Sequence, residues 1–420
     1  MFRTLWTSAA TVALFAGAAS AQDRAAILTN YSDIALAAYS DSLSTAQTLK
    51  SAVDAFLAAP SPETLDAARS AWLAARVPYQ QTEAFRFGNS IVDDWEGSVN
   101  AWPLDEGLID YVDASYGGAT DVNELAALNV IANTSFEVAG QTIDATDITP
   151  ALIGEVLNEA DGIETNVARG YHAIEFLLWG QDLNGTSAGA GNRPYTDYVQ
   201  GDDCTNGNCD RRAQYLTSVT DLLIEDLTYM VDQWDADGAA RAAVTADETA
   251  GIAAILTGMG SLSYGELAGE RMRLGVMLND PEEEHDCFSD NTHNSHYYDA
   301  LGIQNVYLGH YVRVDGTVVE GPSLSDLIAS TDADLDAEMK AKLDTTMTAM
   351  SAMVAAVQNG MAYDQMLDRE NAEGEAILMA AVNGLIDQTA TIERVVAAAK
   401  LDAIEFEGSD SLDNPDAVFQ

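Results

Sequence analysis

Apolar residues recur every three to four positions along most of the chain, the spacing of helices that bury one face. Over residues 23–59 the stripe Ile27, Tyr31, Ile34, Ala38, Leu49, Val53 and Phe56 predicts a first long helix. Pro60-Ser61-Pro62-Glu63 predicts a break and a restart, with Ser61 as N-cap, Pro62 at the first helical position and an acid in the first turn. The second helix carries Leu65, Trp72, Arg76, Tyr79, Glu83 and Phe87, is kinked by Pro78 and ends at Gly88. Residues 89–146 are irregular, except that alternation from Phe136 to Ile143 around Ala139-Gly140 predicts a short hairpin. After Thr149-Pro150 the stripe Ile153, Val156, Leu157, Ala160, Ile163, Val167, Tyr171, Ile174 and Leu178 predicts one continuous helix. Further helices are predicted over 211–234, 249–278, 325–359 and 371–401, with a boundary at 235–238. The stretch 279–322 reads as a long polar loop, and loops of that length inside compact domains are usually functional. The pattern predicts an all-α fold of two helical-bundle domains, 22–240 and 241–420, with long loops and at most a short β-hairpin. Glu83-Ala-Phe-Arg86-Phe-Gly88 aligns without gaps to Glu270-Arg-Met-Arg273-Leu-Gly275, an echo that predicts an internal duplication whose two faces meet around one cleft.

Composition changes this picture mainly through charge. Among 420 residues, 19 Lys and Arg stand against 67 Asp and Glu, a net charge of −48. Phosphate recognition needs clustered positive charge, so nucleic acid is excluded as a partner and anionic membrane surfaces are disfavoured. An acidic surface keeps a protein soluble in high salt, and a field that attracts cations is the other reading. At the N-terminus Met1-Phe2-Arg3 precedes an uncharged, mostly apolar run and Ala19-Ser20-Ala21, the form of a signal peptide over 1–21. No Cys lies nearby to accept lipid, and no other stretch is long and apolar enough to span a bilayer, so a soluble periplasmic protein is expected. Cys204 and Cys209 bracket a tight polar loop and read as a local disulfide in an oxidising compartment. A zinc pair is the alternative there, without a second Cys/His pair beside it.

Candidate chemistry concentrates in two places. His172 and Glu175 sit three apart and project from one side of their helix, half of a metal site of the kind that helix bundles build. All five His lie at or beyond position 172, and the loop from Pro281 to His293 packs Glu282, Glu283, Glu284, His285, Asp286, Cys287 and Asp290 into a dozen residues, which fits metal capture. Gly185-Thr-Ser-Ala-Gly189 formally matches a nucleophile motif, but its flanks are those of a flexible loop rather than strand and helix. Asp332, Asp334 and Asp336 hint at a calcium loop, yet Ala337 stands where the required Gly would be, so they read as a solvated helix start.

Gly170-Tyr-His172-Ala-Ile-Glu175 matches the GxHxxE signature of imelysin-like proteins. With Trp72, Arg76 and Glu83-Ala-Phe-Arg-Phe-Gly88, the segment Ala101-Trp-Pro-Leu-Asp105-Glu, and the loop His285-Asp-Cys-Phe-Ser289-Asp290-Asn-Thr292, the chain resembles the iron-regulated protein A branch of that family over about residues 30–415. The resemblance implies two helical bundles, a bacterial periplasmic or surface protein tied to iron uptake, and a site built from His172, Glu175, Glu83 and Arg76. Under it the expected metal residues are Glu83, His172 and Glu175 from the first half and Glu270, His285 and Asp290 from the second. Arg76, Asp105, Cys287 and Ser289 are the expected supporting residues. Iron is the expected metal and a membrane iron-transport component the expected partner. The family's metallopeptidase label offers zinc-dependent hydrolysis as the alternative, which the absence of HExxH disfavours. A peptide- or haem-binding module without metal is the second alternative.

Overall fold

The computed structural model describes residues 16–120 and 122–419; residues 1–15 of the segment read as a signal peptide lie outside them. Helix α1 (Ala16–Ala58) packs along α2 (Pro62–Gln80). Ser61 caps α2 as expected: its Oγ accepts from the Thr64 N–H at 3.2 Å, and Thr64 Oγ1 accepts from the Ser61 N–H at 3.0 Å. The helix stops at Gln80 rather than Gly88. The Thr82 N–H and Oγ both turn back onto the Tyr79 carbonyl, at 2.8 and 2.6 Å, and Glu83–Phe85 continues as a single tight turn.

Short helices α3 (Ser90–Glu96) and α4 (Glu106–Ile109) lead into a hairpin of β1 (Ser135–Val138) and β2 (Gln141–Asp144). Ala139 and Gly140 turn it with φ of 51° and 73°, the doubly positive geometry that suits a two-residue turn. The continuous helix expected from the 153–178 stripe is corrected. Leu152–Leu157 forms a wide turn, the chain breaks through left-handed Glu159 and Asp161, and only Gly170–Trp179 is α-helical, as α5. Side-chain amides take the place of helical partners: Asn158 Oδ1 accepts from the Ala168 N–H, and the Asn166 amide donates to the Ala160 carbonyl. Ile153, Leu157, Ala160, Val167, Tyr171, Ile174 and Leu178 are buried all the same, so the stripe recorded burial and not helicity.

Helices α6 (Cys209–Trp234), α7 (Ala239–Thr245) and α8 (Glu248–Ser261) follow, with Cys204 bonded to Cys209 at the start of α6. The boundary read at 240/241 falls inside α7, which packs on α1, α3 and α6. Residues Leu262–Arg273 continue α8 as a π-helix and end in α9 (Leu274–Leu278). The expected polar loop 279–322 is corrected too: it contains α10 (Thr292–Leu308) and a second hairpin, β3 (His310–Val312) with β4 (Val318–Glu320), so the fold has two short hairpins rather than one. Helix α10 escaped the pattern because it buries Thr292, His293, Ser295, His296 and Asp299 beside Ala300, Ile303 and Tyr307. A helix whose polar side faces inward has no amphipathic stripe to read. It lies against α2 so closely that a Cβ on Gly302 would meet the Gln81 carbonyl oxygen at 2.6 Å.

Helices α11 (Leu324–Thr331), α12 (Ala333–Gln358), α13 (Tyr363–Leu367) and α14 (Ala372–Ala398) complete the second half. Asp332, read as a helix start, caps α12 by accepting from the Leu335 N–H. The halves are joined across α1, where Asp41 binds Arg313 at 2.6 Å and Asn30 donates to the Gly309 carbonyl, and across α2, which carries α10. The result is a mostly helical molecule in which the loop 281–291 is held against α2 through Arg76 and Gln80 and against α5 through Glu175. No helix among the described residues is long and apolar enough to cross a membrane.

Candidate metal centre

Helix α5 begins at Gly170 because no other residue fits there. Its φ is +79°, and a Cβ would meet the Val99 carbonyl oxygen at 2.4 Å, the same oxygen that accepts from the Tyr171 N–H. This clamp fixes the direction of α5 and aims His172 and Glu175 into the interior. His172 is 1% exposed and Glu175 is fully buried. They meet as the three-residue spacing requires, with His172 Nδ1 3.0 Å from Glu175 Oε2. Ser289 locks the other carboxylate oxygen by donating from its N–H at 2.9 Å and its Oγ at 2.6 Å. With Nδ1 facing a carboxylate, Nε2 is the ring nitrogen left over, buried without a hydrogen-bond partner.

The loop brings His285 and Asp286 to this point. His172, His285 and Asp286 offer ligand atoms within 4.8 Å of one another, and the two imidazole rings lie 4.7 Å apart. Arg76 on α2 holds Asp286 from the other side, Nη2 to Oδ1 at 2.8 Å, and donates to Asn100 Oδ1 at 2.6 Å. Its guanidinium rests against the rings of Trp72, Tyr79 and Tyr171. Asn291 and Ser295 complete the shell of Asp286 Oδ2. Arg76, assigned by sequence to a supporting role, is thus the counterion of a residue 210 positions away.

The electrostatics describe a site short of positive charge. Arg76 faces Asp286 and Glu175, and Arg271 faces Glu266, Glu83, Asp299 and Glu96, so carboxyls outnumber guanidiniums. Burial raises Asp286, but Arg76 and its hydrogen bonds more than reverse this and hold it ionised. Burial, reinforced by Asp286, pushes Glu175 well above the usual carboxylate range, and burial does the same to Asp299 despite Arg271 at 3.1 Å. Burial, with Arg76, drops His172 to about 3, and burial with Arg271 drops His285 well below its ordinary value, so both rings are neutral and able to ligate. A bound cation would take over the role of the protons on Glu175 and Asp299.

The other sequence candidates part company here. Glu83 gives its carboxylate to Arg271 at 2.7 Å, in a buried network with Asp299 and Glu266. Glu270 does not join the cluster; it lines a surface groove with Leu274, Ser409 and Asp413. The echo between the halves therefore pairs a residue of a tight turn with one in the middle of a π-helix. Asp290 turns to Asp182 and Asp364 instead. Asp105 fastens the irregular segment by accepting from Tyr116, Asn123 and Thr165. Cys287 is a free thiol, half-buried, which burial and the charge of Glu175 push well above its ordinary range, keeping it protonated. Asp286 is the cluster residue that the expected ligand set lacks; its signal in the sequence is adjacency to His285 in a segment rich in ligand types.

Residues 35–392 match the family model described as Imelysin. A 57-residue stretch is 39% identical to the iron-regulated protein A of Synechococcus elongatus, a match covering 14% of this chain and 16% of that relative. Among solved structures, one from Parabacteroides distasonis, provisionally named an iron-regulated protein A precursor, superposes with a TM-score of 0.65 at 21% identity over 90% of this chain and 95% of that one. An imelysin-like protein from Psychrobacter arcticum gives 0.57 at 14% identity over 92% and 98%. With its GxHxxE glycine clamped on Val99 and its His–Glu pair sealed by Ser289, the chain belongs to the imelysin family.

Proposed function

We propose that this protein captures an iron ion in the periplasm as an imelysin-like component of iron uptake, and hands it to a membrane transport partner. The observation that carries the reading is the convergence of one ligand atom each from His172, His285 and Asp286 within 4.8 Å, at buried rings of which His172 keeps an unpartnered Nε2. Two imidazoles and a carboxylate suit a first-row transition ion. Glu175 orients His172, Ser289 orients Glu175, and Arg76 orients Asp286. The name iron-regulated protein A, carried by a relative, agrees with iron as cargo.

Size favours capture over hydrolysis. His172, Glu175, His285 and Asp286 are each no more than 2% exposed, which suits an ion and leaves no room for a polypeptide carbonyl or a haem at the same atoms. Glu175 is also committed to His172 and Ser289, so it is not poised as the general base of a zinc peptidase. The test is elemental mass spectrometry of the mature protein, loaded with iron or zinc and desalted, beside His172→Ala/Glu175→Ala. The expected result is about one iron per chain in the wild type and none in the variant. Zinc held in preference, with peptide hydrolysis that Glu175→Gln abolishes while zinc stays, would replace this reading with the peptidase. Equal metal content in wild type and variant would overturn it.

A further inference from the structure

The loop that carries His285 and Asp286 also feeds a second cluster with which the first has no residue in common. Asp182 from the 180–194 loop, Asp290 from the end of the 284–290 loop and Asp364 on α13 bring one carboxylate oxygen each within 4.8 Å of the others. These residues are far apart in the chain and converge only through the fold.

Two of the aspartates are anchored on one side. Asp182 Oδ1 accepts from the Asn184 N–H and side-chain amide, and Asp290 Oδ2 accepts from the Gly189 N–H at 3.1 Å. The opposite oxygens are left over: Asp290 Oδ1 and Asp364 Oδ2 are buried and receive no hydrogen bond. Asp364 is 1% exposed. Behind it lies Glu284, fully buried, whose carboxyl meets that of Asp364 and the Thr292 hydroxyl. Among the described residues no Lys or Arg ion-pairs with any of the four, in contrast to Asp286 beside Arg76. Unpaired buried carboxylates converging on one point are costly unless a cation joins them.

We propose that Asp182, Asp290 and Asp364, backed by Glu284, form a second metal site for a hard divalent cation of the calcium class. The donors are all oxygen, with no imidazole or thiol, which selects calcium, magnesium or manganese rather than the softer metals. Three carboxylates delivered from separate loops suit the larger, more adaptable calcium coordination over strict octahedral magnesium. The ion ties the 180–194 loop and α13 to the 284–290 loop, and so steadies the segment that presents Ser289 to Glu175. Links already in place mark the same junction: Thr186 Oγ1 donates to Asp368 at 2.7 Å, and the Gly191 N–H donates to the Phe288 carbonyl at 2.9 Å. The inference does not depend on iron capture at His172.

The experiment is calorimetric titration of the chelator-treated mature protein with calcium chloride in high salt, where diffuse binding to the acidic surface is screened. Saturable binding of about one calcium per chain is expected, with a higher melting temperature and slower proteolytic cutting within 181–192. Asp290→Asn/Asp364→Asn is expected to lose all three effects. Asp182→Asn, on the half-exposed loop and so safe for folding, is expected to weaken binding by about tenfold or more. His172→Ala/Glu175→Ala is expected to bind calcium as the wild type does. Unsaturable binding, or calcium binding that survives in both aspartate variants, would overturn the proposal.

Discussion

One loop serves two clusters, and they settle their charge differently. At Asp286 the fold brings up Arg76, so the carboxylate is buried, ionised and fully hydrogen-bonded. Four residues later, at Asp290, the fold brings up two more aspartates and no cation. There burial and Asp182 raise Asp290 to about 6, and burial raises Asp364 to about 7. The first cluster has a built-in counterion and presents nitrogens; the second is all oxygen and lacks a counterion. Adjacent positions in sequence thus acquire opposite electrostatics, because charge balance belongs to the partners that packing delivers.

The largest effect should come from removing the built-in counterion. Arg76→Met strands Asp286 and is expected to cost about 3–5 kcal/mol, read as a lower urea midpoint. A loss below about 1 kcal/mol would mean that Asp286 never depended on Arg76. Gly170→Ala comes next. It forces a side chain into a left-handed position against Val99 and is expected to cost about 2–3 kcal/mol. It should also lower iron content while leaving calcium binding intact, since α5 carries only the first cluster; a parallel loss of both metals would show that the clusters move together.

A pH comparison is expected to give a smaller effect. Burial, aided by Arg271, lowers His296 to about 3, whereas the unfolded chain protonates near 6.5. Between those values the unfolded state binds more protons, so this ring costs stability as pH falls from about 6.5 toward 3. Raised carboxyls such as Asp364 act in the opposite sense, so the share of His296 is read by difference. His296→Asn should lose less stability than the wild type between pH 6.5 and 4.5, by up to about 2 kcal/mol. An identical pH slope in both proteins would mean the ring is not held neutral. The smallest effect is expected at Glu270. It lines a surface groove away from both clusters, so Glu270→Ala should leave iron content, calcium binding and the urea midpoint within experimental scatter. A loss of iron there would restore the duplicated ligand pair that the fold separates.

Much of the architecture was legible from local signals. The Ser61-Pro62-Glu63 start of α2, the Ala139-Gly140 hairpin turn and the His172–Glu175 pair are each decided by a few neighbouring residues. The break of the 153–178 stripe was not, because apolar spacing reports burial, and here side-chain amides satisfy a backbone that leaves the helix. Helix α10 was hidden for the reverse reason, its polar residues being turned inward toward the clusters.

The sequence alone determined the all-α class, the family signature and the one His–Glu pair whose geometry a single helical turn fixes. Only the tertiary structure decided that Arg76 belongs to Asp286, that Glu83 is claimed by Arg271, and that Asp290 leaves the His172 cluster for Asp182 and Asp364. Those pairings join residues from 74 (Asp290 to Asp364) to 210 (Arg76 to Asp286) positions apart, and spacing along a chain says nothing about which carboxylate meets a guanidinium once α2, α5, α10 and α13 have packed.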